Sequence, residues 1–332
     1  MKQNTIRITI RPVLAGLFAA TLFAGCVKRD LEERPVVPPE GPGRAEITLD
    51  WGGDERPQTA RFLFYDCQTG ALVKEVTGLT DGFAGELPAG EYRLVVHNTD
   101  ALQVDYRGTD NYETAEVFAQ ETEYAHTTQS YALRSSLTRH DPGVPCILEP
   151  QQVFGTGVCN ESETIVVTSG GTVQASVSAT SLTRQMEFHF TVKSDVGVTS
   201  LKGVLDGIAP GMFIASRQHN APTACAIEFT ALPQTKSATS NFLSRMSVFG
   251  LLTTSQSPDE TNVINVVLTL DDGKVFQAKA DLTPTLKEII ADNGGTIPIE
   301  IPVDVTLEIH GIEGLTATVK PWEEGTGGGD FE

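Results

Sequence analysis

The residues with the clearest chemistry sit near the start of the chain. Lys2, Arg7 and Arg11 precede an apolar run from Val13 to Ala24, and Ala24 and Gly25 lead directly into Cys26. No residue from 12 to 27 carries a charge. A basic start, an apolar core and small residues before the processing point form an export signal, and a thiol at that point can take a lipid. Leu22 stands four residues ahead of the cysteine and Phe23 three ahead, a small departure from the usual aliphatic placement. The run falls short of the ~20 apolar residues that span a bilayer comfortably. The sequence therefore predicts cleavage before Cys26 and acylation of its thiol, with a plain secretory signal as the alternative.

The other candidate reactive groups are scattered. Cys67, Cys146, Cys159 and Cys225 would face an oxidising compartment after export. Cys146 and Cys159 flank a loop bearing Pro150 and Gly155, which they could close as a disulfide or border as buried free thiols. Cys67 and Cys225 adjoin apolar runs and read as core residues. His97, His126, His140, His189, His219 and His310 show no ligand spacing and no H-E-x-x-H, so neither a metal nor a cofactor is expected. No nucleophile elbow or P-loop is present, and nothing singles out two of the 43 acids as a glycosidase couple. No catalytic residue is assigned, and the expectation is a protein that is not an enzyme. Asp100, Asp105, Asp110 and Glu113 could hold calcium if their loops converge, or serve as turn-forming carboxylates in solvent. Trp51, Tyr65, Tyr92, Tyr106 and Tyr112 could stack against sugars, or pack into a core.

The elements that must position these groups read as strands. Compact or alternating apolar runs recur at 45–51, 60–65, 71–76, 83–87, 92–97 and 114–118, separated by turn signals such as Gly52-Gly53, Thr69-Gly70 and Asp81-Gly82. Ile47, Leu49 and Trp51 would share one face, as would Tyr92, Leu94 and Val96. A second series occupies 164–168, 173–177, 186–192, 198–205, 211–216, 226–230, 247–253, 263–270, 275–281, 303–309 and 315–319. Asp272-Gly273 marks a hairpin within it, and Thr285 with Glu288 predicts a capping box opening one short helix that stops at Gly294-Gly295. Short strands at regular spacing imply antiparallel sandwiches, hence an all-β chain.

Length and charge bound the rest. The 332 residues less a 25-residue signal leave 307, enough for two domains of ~100–200 residues each. Removing the signal takes away three positive charges and no negative one, so the net charge of -19 becomes -22. That balance argues against nucleic acid as a partner. The expected layout is a signal at 1–25, a charged and then proline-rich tether at 26–43, a first sandwich at 44–160, a second at 161–322 and a glycine-rich acidic tail at 323–332.

Several ordered motifs carry a resemblance. Residues Ile47 to Trp51, Ala60 to Tyr65, Leu87-Pro88-Ala89-Gly90-Glu91-Tyr92, His97 to Asp100 and Tyr106 to Asp110 are similar to the lipoproteins of Bacteroidetes related to fimbrial anchor subunits. Leu205 to Gly211, Val248-Phe249-Gly250, Leu270 to Lys274 and Asp281-Leu282-Thr283 resemble the second domain of that family. Asp66-Cys67 departs from the family's proline and acidic residue at that turn. Acidic residues soon after Cys26 (Asp30, Glu32, Glu33) resemble its surface-export signals, diluted by Lys28 and Arg29. The resemblance implies two tandem transthyretin-like β-sandwiches, a lipid anchor in the outer membrane with the body at the cell surface, and an anchoring or accessory place in a fimbrium. Its partners would be fimbrial subunits or other surface proteins.

Such subunits resemble one another in exchanging strands through main-chain hydrogen bonds. Residues 325–332 offer Phe331 as the one large apolar side chain, a poor donor strand, so the chain is expected to accept a strand at an exposed edge. The competing expectation is a surface glycan-binding lipoprotein of a polysaccharide-uptake system, which exposed coplanar aromatics would favour.

Overall fold

The computed structural model of the chain describes residues 41–52, 56–122, 144–156, 164–219, 224–234, 241–310 and 314–321. Cys26, Cys159, His126, His140 and the tail expected at 323–332 lie outside them, as does nearly all of the expected tether.

Strands dominate because the sequence alternates. In β1 (Gly43–Asp50) Ala45, Ile47 and Leu49 are buried while Arg44, Thr48 and Asp50 face outward. β2 (Ala60–Asp66), β3 (Leu72–Gly78), β4 (Gly82–Leu87) and β5 (Gly90–Asn98) follow, then β6 (Val104–Arg107), β7 (Glu116–Ala119), β8 (Cys146–Ile147), β9 (Phe154–Thr156), β10 (Ile165–Val167) and β11 (Thr172–Ser181). The second half holds β12 (Arg184–Lys193), β13 (Val198–Ile208), β14 (Gly211–Phe213), β15 (Cys225–Pro233), β16 (Asn241–Val248), β17 (Val263–Leu270) and β18 (Val275–Asp281). Helix α1 (Thr283–Asp292), β19 (Glu300–His310) and β20 (Gly314–Pro321) end the described chain.

These strands form two large sheets. The first runs β3-β2-β5-β9-β11-β1-β4, with β10 also on β5, and the second runs β18-β17-β13-β15-β16-β12-β19-β20, with β8 on β15. A small third sheet joins β14, β7 and β6. Most neighbours are antiparallel, but β1 pairs with β11, β12 with β19 and β8 with β15 in parallel, so each large sheet sets an early strand, β1 or β12, beside one of its latest. β20 returns against β18, which curls the second sheet toward closure.

Sheet membership changes at Leu182 and Thr183, between β11 and β12, whereas the junction expected from sequence falls near residue 160. β10 and β11 complete the first sheet. Two large core clusters result, with a small third at Cys146, Val204 and Ala226. One lies inside the first sheet around Ile47, Trp51, Phe62, Phe64 and Leu94, and the other fills the second sheet around Met186, Phe188, Phe190, Leu205 and Ile264. Leu63, Tyr65 and Val95 belong to the second cluster although their strands lie in the first sheet. β2 and β5 are thus covered on both faces, which is why Phe62-Leu63-Phe64-Tyr65 is a continuous apolar run.

Three local expectations need correction. The predicted strand at 247–253 is instead β16, which starts at Asn241 and ends at Val248. The predicted capping box is not formed: α1 starts at Thr283, its N-cap Leu282 makes no side-chain cap bond, and Thr285 is buried inside the first turn. Asp281 Oδ1 instead accepts the Thr283 N–H at 2.9 Å. The third correction concerns 211–216, of which only Gly211–Phe213 is strand, and it pairs with β7 in the small sheet. The Asp272-Gly273 hairpin joins β17 and β18 as expected, with Gly273 at φ 81° and its N–H bonded to the Leu270 carbonyl at 3.0 Å.

Candidate functional site at the interrupted second sheet

A strand-receiving site needs main-chain N–H and C=O groups that no neighbouring strand has taken. β15 and β16 meet only at Leu232 with Leu243 and Pro233 with Phe242, then part. Toward its start β15 is covered by β8, which sets Cys146 opposite Ala226 and Ile147 opposite Ile227. Among the described residues, 229–231 of β15 and 244–248 of β16 have no strand partner on the sides that face each other.

Register fixes which groups line this wedge. The Ala226 N–H bonds to the Pro145 carbonyl and the Gln234 N–H to the Asn241 carbonyl, so even-numbered positions of β15 direct their main-chain groups toward β16. On β16 the Ser247 N–H is accepted by the Glu149 carboxylate at 2.9 Å, so odd-numbered positions face β15. Thr230 and Arg245 therefore present main-chain groups across the gap. The Glu149 contact shows how a side chain from the 144–151 segment occupies one ladder position without supplying a strand. Sequence reasoning missed this site because it started the strand at 247, although Phe242, Ser244, Met246 and Val248 alternate inward along β16.

The outer face beside the wedge is polar. Glu187 links Arg245, an ion pair at the Nε of the guanidinium, to His189 Nε2 at 2.8 Å. These side chains and Gln185, Glu300 and Pro302 line a recess of about 380 Å³. The Arg245 guanidinium, first through its hydrogen bond and then through its charge, holds the Glu187 carboxyl below its ordinary value.

The aromatic platform dissolves on inspection of burial. Trp51, Tyr65, Tyr92 and Tyr112 are buried. Trp51 Nε1 donates to the Thr80 carbonyl at 2.8 Å, Tyr65 Oη to Thr109 at 3.0 Å and Tyr92 Oη to Pro88 at 2.9 Å. Tyr106 stacks on His97 with ring centroids 4.1 Å apart and donates to the Asn98 carbonyl. Trp51, Tyr65, Tyr92 and Tyr106 are packed residues whose polar tips are satisfied, Tyr112 packs edge-on against Tyr65 under the Arg93 guanidinium, and together they offer no open face to a sugar.

The acidic cluster also disperses. Asp100 accepts the Gln58 N–H at 2.7 Å and an Asn98 amide at 3.0 Å, while Glu113 pairs with Arg93 at 3.3 Å. No group of three or more His, Cys, Asp or Glu side chains converges among the described residues. Cys146 is buried in β8, and its expected partner Cys159 lies outside the described residues. Cys225 is buried, which pushes its thiol up to about 11, and Cys67 is half-buried with Sγ 4.0 Å from Thr164 Oγ1.

The class this fold defines is a double-sheet β protein, and solved structures share it. One from Bacteroides ovatus, provisionally described as an adhesin, matches at a TM-score of 0.55 and 19% identity, covering 91% of this chain and 100% of that one. Another, from Bacteroides thetaiotaomicron and provisionally described as polysaccharide-binding, matches at 0.52 and 10% identity over 85% of this chain and 99% of that one. In sequence the chain is 25% identical over 322 residues to a Bacteroides ovatus protein provisionally described as fimbrium anchoring subunit Fim4B, covering 89% of this chain and 88% of that one. Residues 25–228 match the model of a domain of unknown function, DUF5119, and the chain belongs to that family.

Proposed function

We propose that the chain is an anchoring or accessory subunit of a fimbrium, tethered to the outer membrane through a lipid on Cys26 and acting by binding, without catalysis. The observation that carries this reading is the wedge between β15 and β16, where main-chain groups of Thr230 and Arg245 face each other with no intervening strand among the described residues. An extended segment of a fimbrial subunit entering there would gain a ladder on both sides, the geometry of strand addition. The likeness to the Fim4B protein supports the fimbrial setting, and the signal-like start ending at Cys26 supports the tether.

Two measurements test it. A photo-crosslinking residue replacing Thr230 in the native strain should capture a fimbrial subunit, while the same residue at Val73 on the far edge strand β3 should not. Equal capture at both, or none at Thr230, would remove the wedge as the acceptor. Cys26→Ser should abolish palmitate labelling and shift the protein out of the membrane fraction; retention of label would remove the tether.

A further inference from the structure

The first sheet ends on two strands that are neighbours in sequence but not in hydrogen bonding. Residues 79–81 join β3 to β4, yet among the described strands β3 pairs with β2 alone and β4 with β1 alone. The turn is pinned to β1, because Trp51 Nε1 donates to the Thr80 carbonyl and the Leu49 N–H to the Asp81 carbonyl at 3.1 Å. From that apex β3 and β4 run along the two sides of a seam. The Leu49 bond sets odd positions of β1 toward β4, so Phe83 and Gly85 face β1 while Ala84 and Glu86 turn their main-chain groups to the seam. On β2 the Thr59 carbonyl accepts the Thr99 N–H, so odd positions face β5 and even positions face β3. Lys74 and Val76 therefore pair with Phe64 and Phe62, and Val73, Glu75 and Thr77 present their main-chain groups to the seam. Such an open edge is a template for pairing with another chain.

Lys74 crosses this opening. Its register opposite the fully buried Phe64 directs its side chain inward, and its ammonium donates to the Glu86 carbonyl on the far side at 2.6 Å. The same ammonium lies 5.7 Å from the ring centroid of Phe83, whose ring packs on Phe62 and Phe64 at 5.9 and 5.0 Å. A cation is thus fixed over the aromatic floor of the seam by one carbonyl and one ring.

We infer that Lys74 bars the seam between β3 and β4 to strands from another chain. An entering strand would take the Glu86 carbonyl from the ammonium and cover that charge with its own backbone, where water could not replace the lost contact. An inward-pointing charge on an edge strand is a direct way to prevent such pairing. Where partners add strands, as the fimbrial reading holds, Lys74 thereby confines them to the wedge between β15 and β16.

Lys74→Met keeps the length of the stem and removes both charge and donor, whereas Lys74→Arg keeps both. Purified Cys26→Ser protein, which has no acyl chain to drive association, is compared with each variant on the same background by sedimentation velocity over a concentration series. A photo-crosslinking residue replaces Val73 in parallel samples. The expected result is self-association about ten-fold or more stronger in Lys74→Met than in Lys74→Arg or the parent, with position 73 crosslinked to a second copy of the chain. Thr77→Pro added to Lys74→Met removes a seam N–H and should restore the parent's behaviour, which separates edge pairing from misfolding. Equal association in Lys74→Met and the parent, or association that Thr77→Pro leaves intact, overturns the role of Lys74. Closure is read on the purified chain alone, so its failure leaves the β15–β16 wedge to the separate test at Thr230.

Discussion

His97 is fully buried in β5, with one face of its ring on Tyr106 and Nδ1 2.8 Å from the Asn98 carbonyl. A donor at Nδ1 leaves Nε2 as a lone pair, and that atom has no partner among the described residues. Burial is the main cause that pulls its pKa from 6.5 down to about 4, with the Asn98 carbonyl opposing and Arg61 adding to the fall. The unfolded chain therefore binds the proton first as pH drops, so stability is complete above about 6.5 and declines toward 4. Between pH 6.5 and 5 the native protein should lose about 2 kcal/mol more than His97→Gln, measured by urea unfolding. Parallel slopes for the two proteins would exclude this origin. Glu116 offers a second case: its buried carboxylate takes Arg107 Nε at 2.7 Å and Nη2 at 3.0 Å, and the guanidinium lies 4.7 Å from the Phe118 ring centroid. Arg107→Ala should cost roughly 2 kcal/mol in the same assay, because a buried carboxylate loses its counter-charge while the half-exposed arginine regains water. Neither residue was singled out for such a role by sequence, since His97 and Glu116 owe their burial to strands distant in the chain.

At the level of elements, local patterning carried much of the fold. β1 and the β17-β18 hairpin follow from alternation and from Asp272-Gly273, because both signals act between neighbours in sequence. β16 was legible in part: its inward residues include Ser244, a polar side chain that weakens an apolar-period reading although it is buried. α1 shows a different limit. Leu282 precedes Thr283-Pro284, and the helix starts there because proline suits a first turn, whereas the Thr285–Glu288 spacing suggested a later start. The stop at Gly294 and Gly295 was correctly placed; both adopt positive φ, and the Gly295 N–H bonds to the Ile290 carbonyl. Gly82 reads as a turn residue, yet its pairing role is stricter. At φ 150° it faces β1 so closely that a Cβ would stand 2.0 Å from the Ile47 carbonyl oxygen. Gly82→Ala should therefore destabilise the protein by more than about 1 kcal/mol, read as a lower denaturation midpoint with an unchanged slope.

For the whole molecule, the sequence specified an all-β chain but not which strands share a sheet. The junction expected near 160 rested on the polar stretch before it, whereas β10 and β11 return to the first sheet through long-range pairing that no local pattern encodes. The candidate wedge was hidden for the same reason, since it exists only where β15 and β16 stop pairing. Links across the change of sheet are numerous: β14 pairs with β7, β8 with β15, and Arg217 holds Gly155 and Thr180. The described residues fall within one compact unit. A fragment ending at Thr183 would lose β14 and the larger core that covers Leu63, Tyr65 and Val95. It should melt without a cooperative transition by circular dichroism, whereas a sharp transition would mean that the first sheet is self-sufficient.

β1 is flanked over nearly its full length, by β11 in parallel from Arg44 to Asp50 and by β4 in antiparallel from Gly43 to Thr48. Tension applied at Gly43 along the strand would strain both ladders in shear at once, rather than opening their bonds one after another. Such an arrangement resists dragging forces at the very end by which a tethered body would be held, and single-molecule stretching from residue 43 should meet a tall first rupture peak that Gly82→Ala lowers.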